Sequence, residues 1–214
     1  MNKKIIPLLS LAAAGLVVPL RAQQHLEVGG LALMSAYRST GVTSARTAGS
    51  IGLAPGVSAG GFLGQTMSNR LGGELRYLYS QNSLKLSSGG TQTKFGGRSH
   101  IVGYDLLVFV TGRESRIRPY VAAGGGLKLY EGTGTEQAFQ PLSNLALLTR
   151  TRETLPTVDF GGGVKFQISR NTMFRIEFRD YVTKVPKVFA ASPGASFGRI
   201  LHHWVPAVGV SWTF

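Results

Sequence analysis

The stretch His203-Trp204-Val205-Pro206-Ala207-Val208-Gly209-Val210-Ser211-Trp212-Thr213-Phe214 constrains the fold more than any other. Counted back by twos from Phe214, the residues are Trp212, Val210, Val208, Pro206 and Trp204. All six are apolar and three are aromatic. The interleaved set Thr213, Ser211, Gly209, Ala207, Val205 and His203 is small or polar apart from Val205. Alternation of period two means a strand with two unlike faces. An apolar face carried to the last residue is unusual for a soluble chain, whose ends fray in water.

The same alternation recurs upstream. Leu71, Gly73, Leu75, Tyr77 and Tyr79 oppose Gly72, Glu74, Arg76, Leu78 and Ser80, and Val102, Tyr104, Leu106 and Val108 oppose Gly103, Asp105 and Leu107. Further strands are predicted over roughly 119–130, 156–168 and 173–181. Residues 25–37 and 50–65 also read as strands. In the first of these, Leu31 and Leu33 compete with Leu26, Val28, Ala32 and Met34, so its phase is open. The total is about eight strands, near the ~9–11 residues that cross a bilayer with tilt. Their connections alternate long and short. The longest, 131–155, holds Pro141-Leu142-Ser143, which predicts either a short helix through about Leu148 or an outward extension of the next strand. Residues 82–98 and 182–200 read as long loops.

Composition narrows the classes. Of 214 residues 29 are Gly, charged residues are 15% and Cys is absent, which excludes disulfides and thiolate metal sites. The formal charge of +13 suggests nucleic acid or an anionic membrane surface as partner. No basic helix or aromatic platform accompanies it, so nucleic acid is not expected. The beginning decides between them: Lys3 and Lys4 precede an apolar run from Ile5 to Leu20, then Arg21-Ala22. That run falls short of the ~20 residues of a membrane helix. It reads as a secretory signal over residues 1–22, cleaved after Ala22.

Alternation alone fits both a barrel in lipid and a sandwich in water. Three features favour lipid. Gly72, Gly103, Gly124, Gly126, Gly161, Gly163 and Gly209 fall on the charged face, where a crowded lumen needs small residues. That face balances Glu74, Asp105, Asp159 and Glu177 against Arg76, Lys128, Lys165, Arg175 and Arg179, as an enclosed network would. Tyr79, Trp204, Trp212 and Phe214 stand near strand ends on the apolar face, like interfacial girdles. Unpaired edges cannot remain in hydrocarbon, so the first and last strands should pair. Pro206 predicts a bulge or a local break in the final strand.

The export-type beginning, the hairpin rhythm, Arg118-Pro119-Tyr120-Val121-Ala122-Ala123-Gly124 and the ending through Trp212 and Phe214 resemble the OmpA/OmpX-type small outer-membrane barrels. The resemblance implies a closed up-and-down antiparallel transmembrane β-barrel over residues 23–214 in the bacterial outer membrane. It also implies a chain that stops at the barrel, without the peptidoglycan-binding domain of longer relatives. Trp204, Val208, Val210, Trp212 and Phe214 would then be the assembly signal, read by the barrel-assembly machinery after periplasmic chaperones have delivered the chain. A monomer is expected, and no cofactor or metal.

Function is less determined, because one fold hosts many roles. Some barrels of this class modify lipids or cut proteins, which needs a nucleophile, a base and an orienting group. His25, His100, His202 and His203 lack the His-x-Ser spacing of the lipid A deacylase barrels, and adjacent His202 and His203 point to opposite faces. A non-enzymatic role is therefore expected. About eight strands leave an interior just filled by side chains, so no large pore is expected, with a narrow pore or a lipid-modifying enzyme as the alternatives. The predicted loops carry Arg38, Arg46, Lys85, Lys94, Arg98, Lys184, Lys187 and Arg199, and within 38–49, 82–98 and 182–200 no acid. Such loops suit the phosphates of outer-membrane lipid and lipopolysaccharide. The expected role is structural or surface interaction, with mobile loops displayed on a rigid barrel.

Overall fold

A computed structural model describes residues 26–44, 47–136 and 139–214. The predicted signal over 1–22, with His25 and Arg46, lies outside the described residues. In chain order the strands are β1 (Leu26–Arg38), β2 (Thr40–Thr43), β3 (Ala48–Leu53), β4 (Gly56–Thr66), β5 (Leu71–Gln81), β6 (Leu84–Ser88), β7 (Thr91–Phe95), β8 (Gly97–Phe109), β9 (Ile117–Gly132), β10 (Ala146–Leu148), β11 (Arg152–Gln167), β12 (Thr172–Lys184), β13 (Phe189–Ala191), β14 (Ser196–Phe197) and β15 (Ile200–Thr213). Eight of them close a barrel in the order β1-β15-β12-β11-β9-β8-β5-β4. All neighbours are antiparallel, and the seam pairs Val28 with Trp212 and Ala36 with Trp204. Three short turns, 67–70, 110–116 and 168–171, lie at the end that holds Leu26 and Phe214. Four long connections lie at the other end.

The sides of the wall are the reverse of a soluble protein's. Val57, Leu63, Val102, Val121, Val158, Phe178, Val210 and Phe214 are exposed outside, while Arg175, Arg179 and Lys128 are fully buried inside. This overturns the soluble sandwich, whose charges would face water. On β1, Leu26, Val28 and Met34 face outward, while Leu31 and Leu33 point in. The competition seen in the sequence resolves because part of the lumen is apolar: Leu31 and Leu33 pack with Phe62, Leu78, Ile101 and Val205.

Pro206 causes no bulge. Its pairing with Phe178 of β12 is unbroken, and the register to β1 is the same before and after it, from Leu33–Ala207 to Ala36–Trp204. Only the bridges of Met34 and Ser35 drop out. The missing N–H therefore faces β1, and the ladder skips one step there.

The long connections are not loose loops. β2, β3, β6, β7 and β14 form a five-stranded sheet above the barrel, and β10 pairs with β13 beside it. Beneath them Val42, Ile51, Leu84, Leu86, Leu145 and Leu148 make a dry core, with none above 1% exposure. The expected helix over 141–148 is absent. Leu142 has a φ of 64°, outside the right-handed helical region. The Gln140 side chain bonds both backbone groups of Leu148 at 2.9 Å and folds the stretch back on itself. The alternative, that the next strand reaches outward, is met at Arg152, where β11 begins.

Candidate functional site

The lumen is built in layers. Alternation brings an inward side chain from every strand to each level, so the residue types on eight strands decide what a level is made of. Nearest the short turns, Phe109, Tyr120, Leu107 and Ala122 pack together, with the Arg118 guanidinium 3.9 Å over the Phe109 ring. Above them lies one connected ion-pair network. Arg76 reaches Glu74 at 2.6 Å and donates to both oxygens of Glu177. Arg175 bridges Glu74 at 2.9 Å and Glu27 at 3.2 Å, while Lys165 also holds Glu27. Arg179 lies 3.0 Å from Asp159 and 3.2 Å from Asp105. Tyr120 donates to Glu177 at 2.6 Å. Four cations and five carboxylates are thus joined, and such a network is costly to break because any orphaned charge stays buried. Gly124 makes room for it: a Cβ there would stand 2.1 Å from an Asp105 carboxylate oxygen.

Of the sequence-derived lumen set, Glu74, Arg76, Asp105, Asp159, Lys165, Arg175, Glu177 and Arg179 meet in this network. Lys128 does not join it. Glu27 joins it, although the unclear phase of β1 hides this in the sequence. Lys128 sits higher, in a second polar layer: its ammonium is 2.8 Å from His203 Nδ1, and the imidazole stacks on Tyr37 at 4.1 Å. His203 Nε2 lies 2.9 Å from Ser35, whose hydroxyl also meets Ser58 and Ser80. Serine, histidine and lysine in a row suggest a nucleophile and its base. The hydrogen-bond logic opposes this. With Lys128 charged, its ammonium can only donate, so Nδ1 accepts and Nε2 donates to Ser35, which leaves the imidazole no lone pair for that hydroxyl. Ser35 and His203 are also buried beneath the apolar core of the cap.

The outer wall carries the second cluster. His202, adjacent to His203, faces outward, and its Nδ1 donates to Asp180 Oδ2 at 2.7 Å. Asp180 is paired across the strands with Trp204 and with Phe160. His100 is also outside, bonded to the Tyr77 hydroxyl at 2.8 Å. Trp204, Val208, Val210, Trp212 and Phe214 all stand on the outer face, 39–69% exposed. From Trp204 to Phe214 is ten residue steps. At about 3.3 Å each on a strand tilted by about 40°, they rise about 25 Å, the height of a membrane barrel's apolar band.

The rim above that belt holds the sequence-derived cations unequally. Arg38, Lys94, Lys184 and Arg199 are exposed and Lys85 half-buried. Lys85 and Lys94 face each other across β6 and β7. Arg98 is neutralised by Glu131 through two 3.0 Å hydrogen bonds, and Lys187 lies 3.7 Å from Glu153. Those acids stand at the outer ends of β9 and β11, so the rim is less basic than its three acid-free loops suggest. Among the described residues no three His, Cys, Asp or Glu side chains gather as a metal would need.

Comparison with known proteins agrees with this architecture. Among curated proteins no match is found. Among solved structures the fold is similar to that of Neisserial surface protein A (NspA), at 13% identity over 88% of this chain and 97% of that one, with a TM-score of 0.58. It is likewise similar to the outer membrane protein OprG from Pseudomonas aeruginosa, at 12% identity over 90% and 96%, with a TM-score of 0.59. Identities this low carry the fold and nothing finer. The model of the outer membrane protein beta-barrel domain matches residues 10–214. A closed eight-stranded barrel, apolar outside and charged within, matched over that span, belongs to the outer membrane protein beta-barrel domain family.

Proposed function

We propose that this protein works through its outside rather than its lumen, as a non-enzymatic barrel that holds a basic rim and a folded cap against the outer leaflet. One observation carries the reading: Arg38 and Lys184, exposed and free of ion pairs among the described residues, stand on the outer wall directly above the level of Trp204. Lys85, Lys94 and Arg199 extend the positive field into the cap. A lumen crossed by ion pairs and covered by an apolar core supports the same reading, since it offers little to a solute. The partners are then outer-membrane lipid and lipopolysaccharide, held at about 1 kcal/mol per cation near the surface. The chain acts as a monomer, exported by way of residues 1–22 and inserted by the barrel-assembly machinery. The test is retention of lipopolysaccharide by the purified barrel through a detergent wash. The double variant Arg38→Gln, Lys184→Gln should hold it about thirtyfold less tightly, in a salt-dependent way. Undiminished retention would refute the outer-leaflet role.

A further inference from the structure

Asp180 is hard to explain on a wall that faces lipid. It lies level with Trp204, at the edge of the belt, where a carboxylate is costly. Standing beneath a rim of cations that would meet phosphates, it also opposes the anions those cations attract. Orienting His202 accounts for Oδ2 only. Oδ1 is buried, in a residue that is itself 7% exposed, and accepts no hydrogen bond among the described residues. The groups around it are fixed by register. His202 pairs with Arg38 on one side and Val182 on the other, and Lys184 is the next outward residue after Val182. Arg38, His202, Lys184 and Asp180 therefore share one outward face across β1, β15 and β12, with the indole of Trp204 below them.

We propose that these four residues form a head-group site for a phosphorylated glycolipid of the outer leaflet. Arg38 and Lys184 hold the phosphate. His202, its ring fixed by Asp180, presents Nε2 beside them. A small outward turn of the buried Asp180 carboxylate lets Oδ1 accept a hydrogen bond from a hydroxyl or amine of the adjoining sugar. Trp204 packs against the acyl chains at the interface, where indoles are favoured. A lipid that brings both an anion and a donor satisfies the cations and the carboxylate together; one that brings only the anion leaves the carboxylate opposed. The proposal rests on the basic-rim reading and adds to it a preference among anionic lipids.

The experiment is lipid competition on the full chain in phosphatidylcholine nanodiscs, read by native mass spectrometry. One probe is a diphosphorylated glucosamine-disaccharide lipid. The other is phosphatidic acid, a phosphate monoester with no sugar. Wild type should prefer the glycolipid by about tenfold, the worth of one hydrogen bond to a charged group. Asp180→Asn, which removes the charge and keeps only a neutral acceptor, should lose most of that preference and keep its affinity for phosphatidic acid. Arg38→Gln, Lys184→Gln should lose both lipids. Heat-modifiable gel migration verifies folding, and Asp180→Leu, compatible with lipid, replaces the Asn variant if that one does not fold. If removal of the carboxylate leaves the preference intact while the double variant loses both lipids, the head-group site is wrong and the basic rim stands. If the double variant keeps both lipids, the rim reading itself fails. Competition by glucosamine 1-phosphate in solution at matched concentration would also overturn the proposal, because the site would then read a free sugar phosphate.

Discussion

Glu177 shows how much a single lumenal residue holds. Its two oxygens accept from Arg76 and Tyr120, and Arg175 and Arg179 lie within 3.5 and 3.9 Å. Replacing it with Gln keeps the volume and removes the charge. Arg76 keeps Glu74, so the loss should fall at the lower end of the range for breaking a buried pair, about 3 kcal/mol. Equilibrium unfolding by urea in lipid vesicles measures it, and a loss below about 1 kcal/mol would mean that the network simply repacks. The charge face of β5, β8, β11 and β12 is legible in the sequence because apolar residues alternate there with charged or small ones over long runs. Glu27 is not, because Leu31 and Leu33 share its face. An inward leucine in a layered lumen looks, in sequence, like a lipid-facing one. Asp180 is equally inconspicuous, breaking the apolar row of β12 only once, between Phe178 and Val182. That single interruption was the available signal.

At the scale of elements, the barrel strands were legible and the cap was not. Residues 82–98 look like a loop because Ser and Gly dominate and because short strands give weak periodicity. Yet Ser88 pairs with Thr91 around Gly89 and Gly90, whose φ values of 54° and 83° are what a two-residue hairpin turn of the primed type requires. Gly-Gly between Leu84-Lys85-Leu86 and Thr93-Lys94-Phe95 was thus a hairpin signal. Because the cap has its own core, it should loosen without the barrel. Leu86 is fully buried there. Leu86→Ala should cost about 2–5 kcal/mol, and that cost should be confined to the cap. Trypsin should then cut after Lys85 and Lys94 at least tenfold faster, while the unheated barrel keeps its compact gel migration. Loss of compact migration would mean that cap and barrel fold as one unit.

For the whole molecule, the distribution of charge and of aromatic residues defines one axis. Five of the ten acids, Glu27, Glu74, Asp105, Asp159 and Glu177, are inside the barrel with Arg76, Arg118, Lys128, Lys165, Arg175 and Arg179. The interior is therefore near neutrality, and the surplus behind the net charge of +13 belongs to the two ends and the segment before β1. An apolar wall between two basic rims suits a bilayer whose faces are anionic, and the chain's two tryptophans test that axis directly. Trp204 and Trp212 lie eight residues apart on one outer face of β15, both exposed. If the belt runs from Trp204 to Phe214, each indole lies at an interface and neither near the midplane. Single-tryptophan variants, Trp204→Phe and Trp212→Phe, in vesicles of lipids brominated at chosen depths, should show strongest quenching by bromines near the head groups. Quenching should fall at least twofold for bromines near the chain ends, which lie about 12 Å deeper, half the belt height. A maximum at the midplane for either residue would shift the belt by half a membrane along the barrel. Arg38, His202 and Lys184 would then no longer stand at head-group level, and the proposed contact with the outer leaflet would lose its geometry. Shallow quenching at both positions fixes the axis and places the Asp180 cluster where a phosphorylated head group can reach it.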